Sequence, residues 1–362
     1  RVKFGELNYL GDKMVAAIPG SINDVNAEWL AEATGLKIKT AEIGIIGVGV
    51  GVASAVYRAK LTGENCPASV IIKMPALDEA AVFTSSILRM YIREVRFFKS
   101  LAKECPVIIP KSLYGEINEE TSHFAMVLED LAGHRIIDQT LGIGIEDARR
   151  AVDALAKIHA KWWGKADGLA ADGTTIAFSD PIYPAVLPFV FAEGWEKVKK
   201  ELDLSESMLK IGEKFAPEIG NLMSSLMAGP TTLAHGDFRA DNMMFTKNND
   251  FILYDFQLIG TGSGAYDLAY FVTQSLTAQD ASKYEGELFE RWLEGLRSNG
   301  VTEIDRDRLW LQYRGTALFC LVYPVIASRG MDLNEPRSRA LVETMNSRFE
   351  RAFNELDLAK LI

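Results

Sequence analysis

Apolar residues recur at helical spacing across residues 23–34, and Gly35 supplies a stop. From 42 to 61 the pattern changes to β-branched residues broken by Gly47-Val48-Gly49-Val50-Gly51. Ala55-Val56-Tyr57-Arg58-Ala59-Lys60-Leu61 then reads as a second strand, which places the glycines in a β-turn-β unit. A short apolar strand at 69–74 encloses Lys73. The helix expected after it carries Ile87, Tyr91, Glu94, Phe98 and Leu101 at spacings of four and three, so Glu94 falls inside the apolar stripe. Residues 124–128 form another apolar strand, and Glu129-Asp130-Leu131-Ala132-Gly133 leads out of it. The second half is more helical. Residues 148–163 place Ala148, Val152, Leu155, His159 and Trp162 on one face, with His159 expected as a satisfied core histidine.

Two later apolar runs, Met243-Met244-Phe245-Thr246 and Phe251-Ile252-Leu253-Tyr254, flank the polar Lys247-Asn248-Asn249-Asp250 and predict a hairpin. A hairpin brings its ends together. Asn242 just before it and Asp255 just after it are therefore expected side by side, where an amide oxygen and a carboxylate can share a hard cation. Magnesium on ATP keeps most of its ligands as water and phosphate oxygen, so this pair suffices as a protein contribution. His235-Gly236-Asp237-Phe238-Arg239-Ala240-Asp241-Asn242 leads into the hairpin. Asp237 in that loop suits the role of catalytic acceptor, taking the proton of an attacking hydroxyl late in phosphoryl transfer. A lone H-x-D is more often a turn aspartate; the spacing to Asn242, the hairpin and Asp255 sets this one apart.

Other positions fit the same chemistry. Gly47, Gly49 and Gly51 allow backbone amides to approach phosphate oxygens, although a hairpin tip needing positive φ explains them equally well on their own. Lys73 is placed to bridge the α- and β-phosphates, and Glu94 is its natural partner, since a carboxylate in an apolar stripe is costly unless paired. The alternative for Glu94 is a stripe-edge side chain that reaches water. In the connection at 129–133 the Glu129 carbonyl and the Leu131 amide are the expected contacts of an adenine edge.

Length and charge narrow the classes. The chain has 362 residues, 48% of them hydrophobic, enough for two lobes with separate cores. A net charge of −10 without any basic run argues against a nucleic-acid partner. Cys66, Cys105 and Cys320 are odd in number and lack metal-ligand spacing, which fits a reducing cytoplasm. No apolar run is long enough to span a membrane, and no signal peptide opens the chain, though Arg1 in place of Met leaves the natural N-terminus open.

The HGD-x4-N loop, the aspartate after the hairpin, the lysine in its apolar strand and the Leu155-Ala156-Lys157-Ile158-His159-Ala160 helix resemble the aminoglycoside phosphotransferase and choline kinase superfamily over nearly the whole chain. Tyr254-Asp255-Phe256-Gln257, Val127-Leu128-Glu129-Asp130-Leu131 and Glu94 followed by Phe97-Phe98 look closest to its ecdysteroid kinase-like branch, and HGDFRADN also resembles related bacterial phosphotransferases. The resemblance implies an α+β, bilobal, protein-kinase-like fold: an N-terminal antiparallel sheet plus helix in a nucleotide-binding lobe at 1–128, a hinge at 129–133, and a mostly helical catalytic lobe at 134–362 with a helical insertion at 164–229. It implies ATP and magnesium, Asp237 as base, Asn242 and Asp255 as metal ligands and Lys73 on the phosphates. Superfamily substrates range from antibiotics to choline, sugars and steroids.

Gly236 stands where regulated protein kinases carry an arginine that senses activation-loop phosphate, and only about ten residues separate Asp255 from the helix expected near Tyr266. The first feature argues for constitutive competence, the second against a protein substrate. Gln257 stands where a flexible glycine would let the metal aspartate flip, which suggests a fixed metal site. Arg239 either neutralises charge on the transferring phosphoryl group or anchors the loop on an acid such as Asp267; Asp267 itself is expected to receive backbone amides of the loop or cap its helix. Phe178, Tyr183, Phe189, Phe191 and Trp195 suggest an apolar wall for a bulky neutral alcohol, while the acids of the same regions suit an amine instead; a helical cap packing its own aromatics is a stronger reading than either. The expected activity is transfer of the ATP γ-phosphate to a hydroxyl of a small molecule. A nucleotide-binding pseudokinase is one alternative. A nicotinamide-dependent oxidoreductase is another, and it requires a helix directly after Gly51.

Overall fold

The computed structural model describes residues 9–10, 13–14, 16–46 and 53–362. Gly47, Gly49 and Gly51 lie outside the described residues. The chain divides into two compact units, residues 1–103 with 110–133, and residues 104–109 with 134–362.

The first unit opens with two short paired strands, β1 (Tyr9–Leu10) and β2 (Lys13–Met14). Helix α1 (Ala27–Thr34) follows, its first turn capped by Asn26, whose side chain accepts the Trp29 N–H at 2.9 Å; it ends at Gly35, φ +71°. Strands β3 (Lys37–Ile46), β4 (Ser54–Glu64) and β5 (Ser69–Pro75) precede helices α2 (Glu79–Ile87) and α3 (Met90–Arg96), after which come β6 (Ser112–Asn118) and β7 (His123–Glu129). The five strands β3–β7 form one antiparallel sheet in the order β3-β4-β5-β7-β6. Alternate residues share a face. Ala55, Tyr57, Ala59, Val70, Ile72 and Val127 bury one face with Leu30 of α1. Lys73, paired in register with Val56 and Met126, therefore points to the other.

The strand β4 begins three residues after Gly51, which removes the helix that a nicotinamide site requires. The single helix expected from 87 to 101 is instead two. Arg89 adopts φ +53° between α2 and α3, and the Arg93 guanidinium donates to the Leu88 carbonyl at 2.8 Å at this break. A π-helical turn over Phe97–Leu101 then buries both Phe97 and Phe98.

The second unit begins with β8 (Arg135–Ile136) and α4 (Ile145–Trp162), whose buried face includes Ala148, Val152, Leu155, His159 and Trp162. Then come α5 (Asp167–Ala171), β9 (Ile176–Ala177), α6 (Ile182–Glu201), α7 (Glu206–Phe215), α8 (Ile219–Ser225) and β10 (Thr232–Ala234). Strands β11 (Met243–Phe245), β12 (Phe251–Leu253) and β13 (Gly260–Gly262) lead into helices α9 (Ala265–Ser275), α10 (Ala278–Ser298), α11 (Arg306–Phe319), α12 (Val322–Arg329) and α13 (Pro336–Glu355). Two small sheets carry the loops of interest, one ordered β12-β11-β8 and one β10-β13-β9. The 104–109 segment joins the first, with the Leu253 N–H donating to the Ile108 carbonyl at 3.0 Å.

The aromatics of the 164–229 region do not form an open wall. Phe178, Tyr183, Phe191 and Trp195 are buried in a core with Phe215 and Phe319, because each falls on the inner side of its element; Phe189 alone among the five is on the surface, 74% exposed. No helix among the described residues is long and apolar enough to cross a membrane.

Candidate functional site

The loop after β10 is held from beneath by one carboxylate. Asp267, on the first turn of α9, accepts the His235 N–H at 2.6 Å on Oδ2 and the Gly236 N–H at 2.9 Å on Oδ1. His159 Nε2 lies 3.1 Å from Asp267 Oδ2. Trp292 Nε1 donates to His159 Nδ1 at 3.0 Å, so the proton on the histidine sits at Nε2 and is donated to Asp267. His159 and Asp267 are fully buried, and each satisfies the other. Gly236 turns the chain at φ +81°, and a Cβ there would lie 1.9 Å from the Leu258 carbonyl oxygen. A glycine is required at this position by packing alone, whatever it also means for regulation.

That turn presents Asp237, whose side chain is 18% exposed. Tyr270 donates its hydroxyl to Oδ1 at 2.9 Å, and Asn242 Nδ2 donates to Oδ2 at 2.7 Å. Arg239 Nε lies 3.2 Å from Oδ1. Burial pushes the Asp237 carboxyl up, but the Arg239 guanidinium, His235 and the hydrogen bonds from Tyr270 and Asn242 outweigh it and hold the group below the ordinary carboxylate range. Asp237 is therefore an anion at neutral pH. Arg239 also reaches Asp241, its Nη1 lying 2.8 Å from Oδ2. The arginine thus pairs with two acids of its own loop, Asp237 and Asp241, while Asp267 is engaged by backbone amides.

The hairpin sets Asn242 and Asp255 at one end of a ribbon. Met243 pairs with Leu253 in register, and the Tyr254 N–H donates to the Asn242 carbonyl at 3.2 Å. Tyr254 is tied to the loop twice more, its carbonyl accepting from His235 Nε2 at 3.2 Å and its hydroxyl donating to the Asp241 carbonyl. The next residue, Asp255, takes φ +66°, a left-handed conformation that aspartate tolerates better than most residues. Only nine residues lie between Asp255 and α9, and three of them form β13. Gln257 is buried.

In the first unit Lys73 Nζ lies 2.7 Å from Glu94 Oε1, with the side chains 9% and 1% exposed. The carboxylate in the apolar stripe is paired. Glu129 closes β7 and accepts the Lys111 N–H on Oε2 at 3.1 Å; Leu131 follows it at the edge of this unit. Between them Asp130 is gripped by Arg58 at 2.6 Å, by the Ser69 hydroxyl at 2.6 Å and by the Ala132 N–H at 3.0 Å. Burial pushes its carboxyl up, yet Arg58, Ser69 and the Ala132 amide bring it below its usual value.

Three residues of this site escape a reading of the sequence. Tyr270 looks like one more apolar position of α9, Tyr254 like the last residue of a strand, and Asp241 like a loop acid. For Asp241 the partner that matters is remote: its Oδ1 accepts the Gln139 N–H at 3.0 Å. Only Tyr270 carried a signal, since it stands three residues after Asp267 and hence on the same helix face.

A model of the phosphotransferase enzyme family matches residues 48–308. No curated protein matches the sequence. Among solved structures, an ethanolamine kinase from Plasmodium vivax superposes with a TM-score of 0.55 at 15% identity, covering 89% of this chain and 84% of that one. A choline kinase from Cryptosporidium parvum gives a TM-score of 0.54 at 12% identity, with 89% of each chain covered. The GDP and kanamycin complex of an APH(2") enzyme gives 0.54 at 16%, covering 88% and 95%. At these identities the likeness is one of fold.

Proposed function

Because this chain belongs to the phosphotransferase enzyme family, we propose that it transfers the γ-phosphate of ATP to a hydroxyl of a small molecule, with Asp237 as the proton acceptor. The observation that carries this reading is the Asp237 carboxylate, kept anionic and oriented by Tyr270, Asn242 and Arg239 at the mouth of a loop locked by Asp267. In that setting one carboxylate oxygen accepts the hydrogen bond of the incoming hydroxyl, aims its oxygen at the γ-phosphorus, and receives the proton as the new P–O bond forms and the bond from the γ-phosphorus to the β,γ-bridging oxygen breaks, with ADP as the leaving group. Arg239 offsets the negative charge around Asp237.

The donor set at the end of the hairpin fits magnesium. Asn242 uses Nδ2 on Asp237, which leaves its carbonyl oxygen for a cation, and Asp255 supplies a carboxylate from a backbone conformation held by Tyr254. One amide and one carboxylate oxygen suit a cation that keeps most of its ligands as water and phosphate. No cluster of three His, Cys, Asp or Glu that could hold a metal occurs among the described residues. Bound magnesium would supply charge neutralisation of the phosphate oxygens. Lys73, fixed by Glu94, is proposed to hold the α- and β-phosphates, Gly47, Gly49 and Gly51 to supply backbone amides, and the Glu129 carbonyl and Leu131 amide to meet the adenine. Tyr254-Asp255-Phe256-Gln257 supports placement near the ecdysteroid kinase-like branch.

The test is ADP release from magnesium ATP across a library of alcohols, sugars and amino alcohols, preceded by a thermal-shift screen with a non-hydrolysable ATP analogue. A binding ligand raises the apparent Tm by mass action. The reading predicts nucleotide-dependent stabilisation and at least one acceptor that stimulates ADP release. Absence of both contradicts it; nucleotide binding with no turnover on any acceptor would favour a pseudokinase.

A further inference from the structure

Tyr270 meets Asp237 through its hydroxyl, and its ring is held as firmly as its hydroxyl. The Tyr323 ring of α12 stacks on it with centroids 3.9 Å apart and planes 8° from parallel. The Tyr323 hydroxyl in turn bonds to that of Tyr266, one turn before Tyr270 on α9. Tyr270 is 2% exposed, so its ring has little room to turn. Asp267 and Tyr270 stand three residues apart and share a helix face. Asp267 fixes the backbone of the loop through the His235 and Gly236 amides, and Tyr270 fixes the side chain that the loop presents.

We propose that Tyr270 is a positioning residue for phosphoryl transfer, holding Asp237 Oδ1 so that the carboxylate keeps a single orientation toward the acceptor hydroxyl. The proposal rests on the assignment of Asp237 as the base. Burial first, and then the charge of Asp237, drive the Tyr270 phenol well above its ordinary range, so it remains a hydrogen-bond donor throughout the working pH range. Asn242 restrains Oδ2 in the same way. Two donors on different oxygens, one from α9 and one from the loop, fix the plane of the carboxylate, which a single donor cannot do. Arg239 Nε also donates to Oδ2, at 3.3 Å, so Oδ1, which among the described residues accepts a hydrogen bond from Tyr270 alone, is the oxygen that retains a lone pair for a substrate hydroxyl. A rotated carboxylate would still bind and still be anionic, but it would aim the hydroxyl poorly, and small misplacements of a reacting group cost large factors in rate.

Tyr270→Phe removes the hydroxyl and keeps the ring on Tyr323. Its ADP release is compared with that of the wild type, of Asp237→Asn and of Tyr313→Phe, using magnesium ATP with the best acceptor of the screen or with water. Tyr313 is fully buried and donates its hydroxyl to Glu285 at 2.7 Å, so its variant reports what losing a buried phenol hydroxyl elsewhere in this unit does. The proposal predicts that Tyr270→Phe lowers kcat by about tenfold or more, with KM for ATP within twofold of wild type. Tyr313→Phe should lower Tm without that loss of kcat. If Tyr270→Phe keeps kcat within twofold while Asp237→Asn abolishes turnover, Tyr270 is structural and the proposal fails alone. If Asp237→Asn itself retains turnover, the base is misassigned and the positioning role falls with it. An equal loss of kcat in Tyr313→Phe would also overturn it, by showing a general loss of structure.

Discussion

His159 and Asp267, from helices α4 and α9, meet at 3.1 Å between Nε2 and Oδ2 with no exposure of either side chain. Through this contact α4 is joined to the loop that carries Asp237, because the same carboxylate takes the amides of His235 and Gly236. Asp267→Asn replaces one acceptor oxygen by an NH2 that must face a donor. The expected cost is about 2–4 kcal/mol, the range for breaking a buried, charge-assisted network. Urea unfolding measures it, and hydrogen exchange at the His235 and Gly236 amides should quicken in parallel.

Gly236→Ala meets two obstacles at once, the φ of +81° and the Leu258 carbonyl 1.9 Å from the new Cβ. The loop must shift for the variant to fold. A destabilisation of roughly 2–4 kcal/mol is expected, together with loss of turnover. Thermal unfolding with a parallel ADP-release assay checks both.

Lys73→Ala leaves the Glu94 carboxylate without its ammonium partner in a site 1% exposed. Breaking a buried pair from one side costs about 3–5 kcal/mol. The double variant Lys73→Met with Glu94→Leu should recover a good part of that stability without recovering turnover. Urea midpoints of the wild type, Lys73→Ala and the double variant decide it; a single variant as stable as the wild type would show that the pair contributes nothing to the fold.

Asp130 gives a pH signature. Its folded-state carboxyl lies below its usual value of 3.8, so its contribution is present in full above the unfolded value and is lost as pH falls through the folded one. Asp130→Asn should therefore be less stable than the wild type at neutral pH, and the two proteins should converge as pH drops below about 4. Chemical unfolding at a series of pH values from 2 to 7 measures the difference; a gap that persists unchanged at the lowest pH contradicts the assignment.

Much of this arrangement was legible because charges in apolar surroundings stand out from a period. Glu94 interrupts a stripe and Lys73 an apolar strand, and the two are ion-paired. The hairpin between Asn242 and Asp255 announced itself by two apolar runs around a polar turn. The break at Arg89 did not, since Ile87, Tyr91 and Glu94 keep their spacing while the backbone between them leaves the helix. Tyr270 and Tyr254 act through hydroxyls whose partners, Asp237 and Asp241, are 33 and 13 residues away, a relation that no local pattern encodes. Phe178, Tyr183, Phe191 and Trp195 fit either a binding wall or a self-packed cap, because composition cannot tell an inward aromatic from an outward one; packing against Phe215 and Phe319 decides for the cap.

The central claim is that Asp237 accepts the proton in phosphoryl transfer. Asp237→Asn keeps the size of the side chain and removes the base, so its kcat for ADP release, measured beside its affinity for magnesium ATP, is the direct test. The account predicts a fall in kcat of about 10²–10⁴-fold with nucleotide affinity within a few-fold of the wild type. A variant that turns over at a rate within about tenfold of the wild type would contradict it.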